Sequence, residues 1–329
     1  MTPHLPTSLT GSTSVRLAFA TAAVLSMLGG TAEAEEGGTG HYLPGSMASF
    51  IDSAPAKESF LMRLNVVNYD GSIGKNQPLP IAGLTAVGVD AKSTGVGLTA
   101  VWRPSFEIGE GWSYALTATL PYVWLDVSAD VGAQGLAVRR SSSVNGLGDI
   151  VLQPLLINQN VNPDFNINYR VSLYAPTGSY EVGRLANTGK NFWTVEPTVG
   201  FMYFGQKNGI EASTFVGVDF NRTNPDTDYK SGTQVHVDAT LAQHFPWQGG
   251  LVGLGINAYY YQQVTGDSGA GATPGDFKAK TLGLGPVASF VGKVGGHDLV
   301  SELKWVHESS TTNRLKGDLI WLKVLYKFY

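Results

Sequence analysis

From about residue 58 onward, apolar and polar side chains alternate with a period of two. Phe60, Met62, Leu64 and Val66 interleave with Leu61, Arg63, Asn65 and Val67. Phe165, Ile167, Tyr169, Val171 and Leu173 interleave with Asn166, Asn168, Arg170, Ser172 and Tyr174. Val235, Val237, Ala239 and Leu241 interleave with Gln234, His236, Asp238 and Thr240. At the C-terminal end, Ile320, Leu322, Val324, Tyr326 and Phe328 share one parity, and Lys323 and Lys327 the other. Successive side chains of a β-strand point to opposite faces, so each segment has one greasy face and one polar face. Helical periodicity is hard to find after Ala34.

The pattern predicts about 12 antiparallel strands. They are expected near 58–70, 94–108, 112–128, 144–158, 163–176, 191–205, 208–221, 232–246, 249–265, 276–293, 296–309 and 315–329. The intervening linkers alternate in length. Short ones fall at 109–111, 162–164, 206–207, 247–248 and 294–295. Longer ones fall at 71–93, 129–143, 177–190, 222–231, 266–275 and 310–314, although 81–92 could extend a strand.

Greasy strand faces at a soluble edge would invite aggregation. Closure into a barrel removes the edge, and lipid covers the outer face. The expected fold is therefore all-β, an antiparallel transmembrane outer-membrane β-barrel, with short turns on the periplasmic side. Composition agrees. Charged residues are 15%, with 41 glycines and 35 aromatic residues, and no internal run of 18 apolar residues that would make a helical span. There is no cysteine, which excludes disulfides and thiolate-ligated metals. The net charge of −4 carries no basic stripe, so no nucleic-acid partner is expected.

Both ends fit export. Arg16 precedes the apolar run Leu17–Leu28, followed by Ala32 and Ala34 in an A-x-A pattern. Residues 1–34 read as a signal peptide. Residues 35–57 read as an N-terminal periplasmic segment or a small plug, with a solvated tail favoured by their Gly and Pro content. Residues 58–329 form the barrel. The last strand, with Val324, Tyr326 and Phe328 on its lipid face, resembles the C-terminal assembly signal of Gram-negative outer-membrane barrels. Outer-membrane lipid and the barrel-assembly machinery are the implied partners.

Five stretches carry a family resemblance: GHYLPG at 40–45, GLGDIVLQPL at 146–155, APTGSYEVGRLANTGKNFWTVEP at 175–197, FNRTNPDTDYKSGTQVHVDATLAQHF at 220–245 and GLGPVASF near 283–290. They resemble the transporter-like outer-membrane family named for the meta-pathway of phenol degradation. The resemblance implies a barrel, and passage of aromatic or other hydrophobic small molecules. Tyr180, Arg184, Asn187, Lys190 and Asn191 lie on or beside an outer loop with Gly178, Gly183 and Gly189. That loop either folds inward to constrict the pore or packs on its neighbours, and its glycines are expected to supply unusual backbone angles.

With the apolar parity on lipid, the other parity faces the lumen. It collects Arg63, Asn65, Arg170, Glu196, Glu211, His236, Asp238, Glu302 and Lys304. Such charges must pair, because a lone buried charge is expensive. Paired, they either line a constricted conduit for a small-molecule substrate or fill the lumen of a structural barrel. No GxSxG, P-loop, GxGxxG or HExxH motif is present, so neither catalysis nor a cofactor is expected. His236 and His244 lie about 25 Å apart along an extended strand, so no metal is expected from that pair.

The closing strand generates a test. A chain lacking Tyr326–Tyr329 should fail to assemble and should be found aggregated or degraded in the periplasm. Recovery of the truncated chain as a heat-modifiable outer-membrane barrel would contradict this reading of the C-terminus.

Overall fold

The computed structural model describes residues 35–329 apart from 56, 133–136, 273–277 and 329. The expected signal peptide and Tyr329 lie outside the described residues. Fourteen strands follow in order: β1 (Ser59–Ser72), β2 (Leu79–Ile81), β3 (Leu84–Arg103), β4 (Trp112–Val131), β5 (Val138–Leu147), β6 (Ile150–Asn162), β7 (Phe165–Ala175), β8 (Thr194–Phe204), β9 (Ile210–Asn221), β10 (Gln234–Trp247), β11 (Gly250–Gln263), β12 (Lys280–Val294), β13 (His297–Thr312) and β14 (Lys316–Lys327).

These fourteen strands make a closed antiparallel barrel of twelve staves. β1 pairs with β14 on one side and with β3 on the other, which closes the ring. β5 pairs with the upper half of β4 and β6 with its lower half, so the two share one stave, broken at Gly148 and Asp149. β2 is a short edge strand on β3. Pro154, which has no N–H to give a ladder, falls where the β6–β7 register slips between Leu152 and Leu155.

The twelve-strand expectation holds, but two long linkers are largely strand. β3 begins at Leu84, β4 continues to Val131, and β5 takes up Val138–Leu147. Their Ala-, Gly- and Ser-rich sequences alternate weakly, and cross-strand pairing decides the conformation instead. Inward-facing Ala86, Val89, Ala91, Val127 and Ala129 join Ile73, Leu79, Ile81, Leu185 and Leu315 in an apolar cluster at this end. The β13–β14 connection shrinks likewise to residues 313–315. The opposite end has tight hairpins. Gln248 and Gly249 both adopt positive φ (47° and 78°), as do Gly295 and Gly296 (61° and 88°), the pairing that matches strand twist in a two-residue turn.

The alternation sorts side chains as read except in the upper parts of β3 and β4, where Ala91, Leu125 and Val127 face inward and Asp90, Lys92 and Asp126 outward. Along β10, Gln234, His236, Asp238, Thr240 and His244 are buried inside the ring, while Leu241 is 62% exposed outside. The outward face carries a broad band of exposed apolar side chains, among them Leu98, Leu120, Trp124, Leu254, Ile256, Leu284, Leu303, Trp305 and Ile320. A band of that kind is what hydrocarbon covers on a membrane barrel.

The outward position of Val237 generates a second test. Val237→Arg places a charge in that band at a cost of about 2–4 kcal/mol near the midplane. Its yield of heat-modifiable barrel should fall below that of the parent. Unchanged assembly would show that this face does not meet hydrocarbon.

Candidate functional site

Residues 35–54 run inside the ring, and luminal side chains from many staves hold them. Glu35 accepts from Arg314 Nη1 at 2.9 Å, from Tyr261 Oη at 2.9 Å and from Gln234. Lys190 Nζ donates to Thr39 Oγ1 at 2.8 Å. Tyr42 Oη donates to Asp238 Oδ2, and the Gly45 N–H donates to Asp238 Oδ1, both at 2.7 Å. Trp321 Nε1 donates to the Pro44 carbonyl at 2.9 Å. Ser49 donates to Glu302, and the Phe50 N–H donates to Glu211 Oε1 at 3.0 Å. At the far end Asp52 takes Lys323 at 2.8 Å and Arg63 at 2.9 Å, while Arg170 Nη2 donates to its carbonyl at 2.6 Å.

The two ends of the segment differ electrostatically. Burial pushes the Asp52 carboxyl up, but Lys323 and Arg63 overcome this and hold it below the ordinary carboxylate range. Its contribution is therefore present above that range and is lost only in strong acid. Burial dominates at Glu36 and raises its carboxyl, despite donors on Tyr180 (2.8 Å) and Asn224 (3.2 Å). A raised carboxyl favours the protonated form in the fold, so the Glu36 end weakens as pH rises.

Asp149 sits where β5 gives way to β6. Its Oδ1 accepts the Gly178 N–H at 2.9 Å, and its Oδ2 accepts the Lys190 N–H at 2.7 Å. His41 Nε2 lies 2.9 Å from the same Oδ2, and His41 Nδ1 lies 2.7 Å from Thr194 Oγ1. The loop at 176–193 is drawn inward as a result. Gly178 and Gly189 cross so closely that a Cβ on either would sit 2.7 Å from the other's backbone. Close approach explains those two glycines, whereas only Gly183 uses the left-handed region, at φ 81°.

The loop residues divide by task. Tyr180 and Lys190 reach the internal segment. Arg184 pairs with Glu181, and Asn187 Oδ1 accepts the Glu181 N–H at 2.9 Å, so both hold the loop to itself. Asn191, at φ 62°, donates to Asn224 Oδ1 at 2.8 Å.

Apart from Glu211, which holds the Phe50 N–H, the luminal residues fall into three groups. Glu302, Lys304 (3.0 Å from Glu302), Arg63 and Arg170 gather around the Asp52 end. Glu196, His236 and Asp238 gather around Tyr42, whose ring stacks on His236 with centroids 3.8 Å apart. Asn65 stands apart, donating to Thr99 Oγ1 at 3.1 Å. Sequence reasoning did not single out Glu35, His41, Tyr42, Asp52, Asp149 or Arg314. The available signals were charged and aromatic residues inside a Gly- and Pro-rich stretch where a free tail has no use for them, and the GHYLPG and GLGDIVLQPL motifs that hold His41, Tyr42 and Asp149.

The side of the lumen along β8–β12 is filled. The other side is not. Between the internal segment and the wall of β1, β3, β4 and β6 lies a cavity of about 380 Å³. The wall offers small and aliphatic side chains there, including Ala91, Gly95, Gly97, Val123, Leu125 and Val127, and the segment offers His41 and Leu43.

A closed twelve-stranded barrel with an apolar belt and an internally folded N-terminal segment is a fold of the outer-membrane barrel class. The chain belongs to the family described as MetA-pathway of phenol degradation, whose model matches residues 75–324. Its fold is similar to the COG4313 outer membrane channel from Pseudomonas putida F1, with 14% identity over 88% of this chain and 100% of that one, and a TM-score of 0.63. It is also similar to the β domain of the Bordetella autotransporter Brka, with 11% identity over 82% of this chain and 100% of that one, and a TM-score of 0.51. No curated protein matches the chain in sequence.

The Asp52 anchor generates a third test. Asp52→Asn leaves Lys323 and Arg63 without their carboxylate, a loss of about 3–5 kcal/mol for a buried pair. Amide hydrogen exchange across residues 46–54 should quicken while the barrel staves stay protected. Equal protection in parent and variant would show that Asp52 does not hold the segment.

Proposed function

We propose that this protein is an outer-membrane uptake port for small apolar molecules, exported by residues 1–34 and inserted through the barrel-assembly machinery. The N-terminal segment acts as a fixed plug over half the lumen and leaves a side path along β3 and β4. One observation carries this reading: the wall of the cavity is mainly aliphatic side chains and glycines, and the charged groups at its margin, Glu36, Arg63, Asp149, Lys190, Glu308 and Arg314, are each taken up by a hydrogen bond or ion pair. A path for ions or sugars would leave charged groups unpaired along the open side. A barrel filled only for stability would not leave its small residues facing one cavity. Ligand pockets are typically apolar with some convergent polar groups, here including His41, Asn65 and Gln153. The family description favours aromatic compounds within this class. The similar channel from Pseudomonas putida F1 supports passage rather than catalysis.

The test uses the barrel in lipid vesicles. Uptake of a small aromatic such as phenol or toluene should exceed that of a sugar of equal size. Gly97→Leu, which directs a branched side chain into the cavity beside Thr119, should cut that uptake several-fold with assembly intact. Deletion of residues 39–54 should raise ion conductance. No uptake of any solute by the assembled parent, together with no conductance on deletion, would leave a structural barrel.

A further inference from the structure

We propose that Glu196, Asp219 and His236 form a binding site for a first-row divalent metal ion such as Zn²⁺, built into the barrel wall beneath Tyr42. The three residues come from adjacent staves β8, β9 and β10. All three are fully buried. One ligand atom from each lies within 4.8 Å of the others. His236 Nε2 is 3.5 Å from Glu196 Oε1 and 3.9 Å from Asp219 Oδ2. Those gaps are long for hydrogen bonds. They are close to the roughly 3.3 Å that separates two ligand atoms each about 2.0–2.2 Å from a shared ion.

The unmet valences point the same way. Neither oxygen of Asp219 and neither ring nitrogen of His236 has a hydrogen-bond partner. Among the described residues no lysine or arginine pairs with Asp219, Glu196 or Asp238 within 4.0 Å. The three carboxylates thus have only the imidazole to balance them, and a divalent ion would supply two charges and take up the open valences at once.

The surroundings resemble those of a metal-bound histidine. The second ring nitrogen, Nδ1, lies 3.4 Å from Asp238 Oδ2, so closing that gap into a hydrogen bond would set the tautomer and leave Nε2 to ligate. Asp238 is itself fixed by Tyr42 and Gly45. Glu196 is oriented by Tyr174 and by Thr198 Oγ1 at 2.9 Å. Gly217, opposite His236 on β9, leaves the space for the ring, since a Cβ there would sit 2.2 Å from Nε2. One nitrogen and two carboxylate oxygens leave a fourth position for water and suit Zn²⁺. The group lies outside the apolar cavity and behind the Tyr42 ring, so the ion is structural and ties three staves to the internal segment.

Because Tyr42 closes the site, loading is expected as the barrel forms. The full-length mature chain is refolded from urea into detergent with excess Zn²⁺, passed over a desalting column and analysed for zinc. One equivalent per chain should survive, and zinc-edge X-ray absorption should show one imidazole with oxygen neighbours. Asp238→Asn should weaken retention about 10–100-fold, as loss of a ligand's carboxylate partner does. Asp219→Asn should abolish it, while His307→Gln, at the exposed His307–Asp318 pair, should not alter it. No retained zinc in the parent, or two or more imidazoles at the edge, overturns the proposal. So does retention unchanged in a heat-modifiable Asp219→Asn barrel. If that variant does not fold, the parent's stoichiometry and absorption spectrum decide alone. Zero zinc would then mean that a protonated His236 balances the carboxylates unaided.

Discussion

The carboxylate of Asp149 is the point on which the luminal architecture turns. It stands at the break between β5 and β6 and accepts from two backbone amides of the 176–193 loop and faces His41 of the internal segment. Wall, loop and segment thus share one anion. Its partners are fixed main-chain donors, so the arrangement costs little side-chain entropy. Three of the motifs that carry the family resemblance meet here: the His41 stretch, the Asp149 stretch and the loop from Ala175 to Lys190. They are distant in sequence and adjacent in space.

From that junction the division of the lumen follows. The loop, drawn inward, brings Leu185 and Ala186 onto Ile81 and Val89 and roofs one side with apolar groups. The segment, held at His41, is directed toward β8–β14, where Asp238, Glu302 and Lys323 receive it. The segment and the groups around Asp52 and Asp238 occupy one side, and mainly small and aliphatic residues line the space left along β3 and β4, where the bordering charges are paired. A molecule moving along the open side meets hydrocarbon surface worth about 25 cal/mol per Å² buried and few unpaired charges.

The barrel was legible in the chain because a period of two is a local property. Strand number, closure and the inward placement of Arg63, Arg170, His236 and Lys304 all follow from it. The extended ends of β3 and β4 were harder to see, since the parity reverses there: Ala91 and Ala129 face inward while their polar neighbours Asp90, Lys92, Ser128 and Asp130 face out. The segment at 35–54 was harder still. Its Gly- and Pro-rich sequence has no periodicity, and its place depends on bonds to residues as distant as Arg314. Metal chemistry was invisible along β10 because the partners of His236 lie across strands, at Glu196 and Asp219, and not at His244.

The central claim is that the open half of the lumen accepts small apolar solutes. The direct measurement is the crystal structure of the barrel soaked with a brominated aromatic such as bromobenzene, with anomalous data at the bromine edge. The account predicts bromine between Gly97, Val123 and Leu125 on the wall and His41 and Leu43 on the segment. Bromine found only on the outer apolar belt, with that cavity holding ordered water, would contradict it.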